Sequence, residues 1–106
     1  LNRLLKLLRT PSAFAGDPWG YARNQIGHAY LVGALGAYLL PLWSVLLIYA
    51  AWETIQRVIY GAQLSDDLDD FANVAIAACA VAAADPGYLA IHAIYLAAGF
   101  CWRKGI

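Results

Sequence analysis

Three sets of polar side chains interrupt an otherwise apolar chain. Asn24 and His28 form the first. Glu53, Gln56 and Arg57 form the second. Asp66, Asp67, Asp69, Asp70 and Asn73 form the third. Imidazole and carboxyl groups are the side chains best suited to moving protons near neutral pH. The spacing inside each set is helical. Asn24 and His28 are four apart; Glu53, Gln56, Arg57 and Tyr60 follow i, i+3, i+4, i+7; Asp66, Asp69, Asp70 and Asn73 repeat that pattern. Residues so spaced share one helix face. His28, Glu53 and Asp69 are therefore the candidate catalytic residues. Asn24, Gln56, Arg57, Asp70 and Asn73 are the candidate binding residues.

Plainer roles are open to the same groups. Glu53 and Arg57 have the spacing of an ion pair along a helix. His28 suits a hydrogen bond between helices. Asp66 and Asp67 suit the positive N-terminal end of the third helix. Asp69 and Asp70 lie inside that helix, and Asp69, in line with Asn73, is expected to face the interior. Histidine with carboxylates could also hold a divalent cation, but there is no HExxH motif and no paired-histidine spacing. No metal and no cofactor are expected. No Ser/His/Asp order reads as a triad, and no Gly-rich loop reads as a phosphate cradle.

The elements that carry these residues belong to a membrane. The chain has 106 residues, 62% of them hydrophobic and 13% charged, where a soluble domain carries about a quarter charged residues. Formal neutrality removes the basic field that a nucleic-acid partner would need. With no methionine, the sequence is expected to start downstream of its natural first residue. The fold class expected is all-α: an integral membrane bundle of four transmembrane helices in one domain, 1–106, preceded by an amphipathic surface helix. Leu1–Arg9 is that amphipathic segment, with Leu1, Leu4, Leu5 and Leu8 on one face. Residues 10–20 connect it to the bundle, with Trp19 and Tyr21 at headgroup level. The apolar run of residues 21–61 is too long for one span of roughly 20 residues, and Pro41 sits near its middle. It predicts a hairpin over 21–60, with helices at about 21–39 and 42–60. Ala29, Gly33 and Ala37 make a small-residue stripe for close packing. A polar loop at 61–67, a third helix at about 68–84, the Asp85-Pro86-Gly87 turn and a fourth helix at about 88–102 complete a second hairpin over 68–102.

His28 lies 13 residues before Pro41, Glu53 lies 12 after it, and Asn73 lies 12 before Asp85. At 1.5 Å per residue all three come to one level, roughly 18 Å from the far face. His28 and Glu53 are expected within direct or one-water hydrogen-bond reach, with Asp69 or Asn73 beside them. All seven lysines and arginines fall toward the other face. The positive-inside rule then puts both termini on the cytoplasmic side of the inner membrane. His92 falls on the far half of the fourth helix and reads as a satisfied core histidine. Tyr30, Tyr38, Tyr49, Tyr88 and Tyr95 read as packing or interface aromatics. Cys79 and Cys101 fall at different depths and are expected to be free thiols.

The pattern Asn24-Gln25-x-x-His28, Glu53-x-x-Gln56 and Asp69-x-x-x-Asn73 resembles the VanZ-like family of small multi-span membrane proteins. That family has Asp-Lys-x-x-His on its first helix, Glu-x-x-Gln late in the next and Asp-x-x-x-Asn opening the third. The likeness covers about residues 21–84. Here Asn24-Gln25 replaces Asp-Lys. The arginine usual between the second and third motifs is absent unless Arg57 serves, and Ala75 and Ala77 stand near the usual glycine. The resemblance implies a bacterial cell-envelope setting linked to reduced susceptibility to glycopeptides of the teicoplanin type. The function expected from it is binding or processing of an amphiphilic envelope component in a polar intramembrane pocket. The expected partners are membrane lipids and a lipid-linked envelope substrate. One alternative is a non-enzymatic accessory subunit of a larger membrane complex, or a holin-like protein. Another is a proton or ion path through Glu53, His28 and Asp69.

Overall fold

The structure is a computed structural model that describes residues 16–61 and 64–105. The expected amphipathic segment Leu1–Arg9 lies outside the described residues. All regular structure among the described residues is helical, as expected for the all-α class.

Helix α1 covers residues 18–39 in three continuous pieces: α-helical Pro18–Gly27, π-helical His28–Ala34 and α-helical Leu35–Leu39. It starts three residues before its predicted start. The Asp17 carboxylate accepts from Gly20 N–H at 2.9 Å, and Pro18 fills the first turn, where a missing N–H costs nothing. The widened π turn begins at His28, and such turns often mark functional positions. Leu40 is extended, and Pro41 caps the next helix. The predicted break is therefore real. Helix α2 runs Leu42–Tyr60, as predicted, and ends on Gly61 at φ 73°, the left-handed stop that glycine favours.

Helix α3 runs Leu64–Ala82 and α4 runs Gly87–Lys104. The predicted polar loop at 61–67 is thus shorter than expected. Asp66 and Asp67 stand inside the first turn of α3 rather than ahead of it, where the helix dipole still favours them.

Helix α3 packs against α1, α2 and α4. Its alanine content explains this: Ala77 and Ala78 are fully buried, and small residues let neighbouring backbones come close. Gly33 makes the tightest crossing. A Cβ there would collide with the backbone carbonyl of Val74. Ala29 beside it is buried, and Ala37 packs on the cluster of Val45, Tyr49, Val74 and Ala78. The predicted small-residue stripe is therefore the face that α1 turns to α3.

Buried positions mix apolar residues such as Val45, Tyr49 and Val74 with polar ones, and many large apolar side chains are exposed. Gln25, Glu53, Gln56, Asp67, Asn73 and His92 are buried, while Leu31, Trp43, Leu47, Val58, Ile94 and Trp102 are among the exposed residues. Among the described residues, no helix taken by itself is long and apolar enough to cross a membrane. Cys79 and Cys101 are free thiols.

Candidate functional site

Helix α3 presents carboxyls to both of its sides, and the site divides accordingly. Consecutive helical residues point about 100° apart, so Asp69 and Asp70 meet different neighbours. Asp69 turns toward α1 and α4. Its Oδ1 accepts from Tyr95 Oη–H at 2.6 Å and from Tyr21 Oη–H at 3.4 Å. Its Oδ2 lies 3.6 Å from Arg103. The Arg103 guanidinium also covers the Tyr21 ring at 3.6 Å from the centroid, a cation–π contact that holds the charge in place. Gly99 makes room for this group, because any Cβ there would overlap Tyr21.

One turn along α3, Asn73 heads a relay of hydrogen bonds. Its Nδ2 donates to the Asp69 carbonyl at 2.9 Å. That fixes Oδ1 as the acceptor for His92 Nε2–H at 2.8 Å. The neutral His92 ring then accepts at Nδ1 from Tyr30 Oη–H at 2.9 Å. Every polar atom of the His92 ring has a partner, which makes it the satisfied core histidine expected. It does not lie away from the cluster, however. Counting residues from a turn locates Cα levels and ignores side-chain reach, and an imidazole's far nitrogen sits several ångströms from its Cα.

The other side of α3 faces α1 and α2. Asp70 Oδ1 accepts from Gln25 Nε2–H at 2.6 Å. Asp67 is buried, and its Oδ2 lies 3.8 Å from Arg57, which is itself half exposed. Glu53 is only 4% exposed and faces Asp67 and Asp70. Its nearest polar approach is to the Asp67 carboxyl. That bond exists only when one of the two holds a proton, since a carboxylate can only accept. As carboxylates, both oxygens of Glu53 and Oδ2 of Asp67 have no donor, and Gln25 Oε1 and the Tyr49 hydroxyl are also unpartnered.

No direct hydrogen bond joins His28 to Glu53. The His28 Nδ1–H donates to Asn24 O at 2.9 Å, and its ring stacks on Tyr49 with centroids 6.1 Å apart. Tyr49, one turn before Glu53 on α2, is the α2 side chain on which His28 stacks. Asn24 thus takes part through its backbone carbonyl. Gln56 is buried on the same α2 face as Glu53. Arg57 pairs with Asp67 rather than Glu53. Asp69 was expected to face the interior more than Asp70; both bond to neighbouring helices. Asp67, expected only as a helix-end residue, belongs to the buried group. Among the described residues, no three His, Cys, Asp or Glu side chains are arranged to hold a metal ion.

Next to this polar group runs a cleft of about 330 Å³ between α1 and α2. His28, Val32, Gly36 and Leu40 line one wall; Val45, Ile48, Tyr49 and Trp52 line the other. His28 and Tyr49 close its polar end. The rest is apolar and extends toward the Pro41 turn.

Sequence reasoning did not place Tyr21, Gln25, Tyr30, Tyr49, Tyr95 and Arg103 in the site, and it set His92 apart from it. A signal was present for several of them. Tyr21, Gln25 and His28 follow i, i+4, i+7, and His92, Tyr95, Gly99 and Arg103 lie on one stripe of α4. The family models, the characterised proteins and the solved structures hold no match to this chain.

Proposed function

We propose that the chain is a membrane-embedded, VanZ-like helical bundle that binds an amphiphilic cell-envelope component. The apolar tail lies in the cleft between α1 and α2, and the head lies at His28 and Tyr49. The observation that carries this reading is the cleft itself: an apolar slot, about 330 Å³, ending on an imidazole and a buried hydroxyl. Apolar walls with a few polar groups at one end are the usual form of a ligand site.

The membrane setting is supported by the buried polar residues and the many exposed large apolar ones. Lipid accepts exposed Leu31 and Val58, and it penalises polar groups that do not face inward. The residues that lower the mean hydropathy of α2 include Glu53 and Gln56, and both are buried. Helix α1, taken through its π turn, has 22 residues, against the roughly 20 that a span needs. Basic residues toward one face would set both termini on the cytoplasmic side. The residues that carry the VanZ-like resemblance support the same placement: His28 lines the cleft, and Glu53 and Asn73 are buried. A polar layer serving only to join helices would give each carboxyl a donor on a neighbouring helix, and Glu53 as a carboxylate has none.

Native mass spectrometry of the detergent-purified protein tests the reading. The expected result is a co-purifying amphiphile that is lost in Val32→Trp, which fills the cleft, and kept in Leu31→Trp, which changes the outward face. Equal retention in both variants would refute the cleft as the binding site.

A further inference from the structure

Behind the residues that line the polar end of the cleft lies a surplus of acceptors. Tyr49 lines the cleft, the buried Glu53 follows it one turn along the same face of α2, and the carboxyls of Asp70 and Asp67 also act electrostatically on the Tyr49 hydroxyl. Asp70 is answered by Gln25, and Asp67 is answered at long range by Arg57. As a carboxylate, Glu53 is answered by no donor at either oxygen; Gln25 Oε1 is a further open acceptor, and Asp67 Oδ2 has only the long Arg57 ion pair.

A buried carboxylate without a donor is costly. A group that answers it must bring donors and positive charge. A phosphate brings the reverse: negative charge and more acceptors beside three carboxyls. A trimethylated ammonium brings charge without N–H donors. A primary ammonium brings one charge and three donors with no acceptor, so one such group can serve both Glu53 oxygens and a neighbouring acceptor. A metal ion would need three converging ligands, which the described residues do not supply.

Building on the amphiphile reading, we infer that the cleft selects an amphiphile whose head carries a primary ammonium, held by Glu53 beside Gln25 and Asp67. The tail lies along Val32, Gly36 and Leu40, and the ammonium reaches past Tyr49 to the carboxyls.

The test is a head-group series with a constant tail. Dodecylamine, dodecyltrimethylammonium, dodecyl phosphate and dodecyl maltoside are offered at equal concentration to the detergent-purified protein. Occupancy is read by native mass spectrometry. Dodecylamine should exceed the other three by about tenfold or more, the scale of a charge-assisted hydrogen bond. Glu53→Gln keeps the shape and should abolish the preference, while Asp85→Asn, the same charge change at the exposed turn, should keep it. Phosphate binding as well as the amine, or trimethylammonium binding as well as the amine, would overturn the inference and leave the cleft standing. A preference that survives Glu53→Gln would also overturn it, and would point to a shared Glu53–Asp67 proton as what satisfies the carboxyls. If no compound binds the unaltered protein more than it binds Val32→Trp, the cleft reading and this inference fall together. The series on the unaltered protein decides the head-group question even if Glu53→Gln does not fold.

Discussion

His92 Nε2–H donates to Asn73 Oδ1 at 2.8 Å, and both side chains are buried. This bond joins α4 to the central helix. Asn73→Ala removes the acceptor and leaves the imidazole N–H with no partner. A loss of about 1–2 kcal/mol is expected, the scale of an orphaned buried donor or an interhelical bond in a membrane. Denaturant unfolding in detergent micelles measures it. Unchanged stability would mean that the relay from Tyr30 to Asp69 carries no weight.

Asp69 offers a second test. Asp69→Ala takes the ion partner from Arg103 and the acceptor from Tyr95. The expected loss is about 2 kcal/mol, less than that of a fully buried pair, because one fifth of the Asp69 side chain is still accessible. Asp69→Asn keeps an acceptor for Tyr95 and should lose less. If the two variants unfold alike, the charge on Asp69 contributes and the hydrogen bond does not.

Two glycines of α1 give opposite signs. A Cβ at Gly27 meets nothing within 4 Å, whereas a Cβ at Gly33 meets the Val74 carbonyl. Gly27→Ala should stabilise by about 0.5 kcal/mol or more through helix propensity. Gly33→Ala should destabilise by about 1–3 kcal/mol, because backbone cannot yield as a flexible side chain can. Thermal unfolding of the two single variants settles it. Matching signs would mean that α1 does not cross α3 at Gly33.

Much of the fold was legible because the chain punctuates itself. Pro41, Gly61 and the Asp85-Pro86-Gly87 turn each mark a helix end, and the α2 limits match the prediction at both termini. The stripe Ala29, Gly33 and Ala37 gave the packing face for the same reason: small side chains at four-residue spacing leave one side of a helix flat. Starts were harder to read. Asp17 extends α1 and an early first turn extends α3, because a capping carboxylate and an acidic first turn look alike in sequence. The site was legible as a set of residues and not as a set of pairs. Helical spacing gives a face but not which neighbour the face meets, so Asp69 and Asp70 went to different partners. Tyr21 was read as a headgroup anchor and the other tyrosines as packing or interface aromatics, yet Tyr21, Tyr30 and Tyr95 place their hydroxyls on acceptors of neighbouring helices.

The central claim is that an amphiphile's tail occupies the cleft between α1 and α2. A single-chain amphiphile with a diazirine midway along its tail, incorporated with the protein into liposomes and activated by light, tests it most directly. Adducts mapped by peptide mass spectrometry should concentrate on Val32, Gly36, Leu40, Val45 and Ile48, and Val32→Trp should remove them. Adducts spread evenly over outward residues such as Leu31, Leu47 and Ile94, and unaffected by Val32→Trp, would contradict the account.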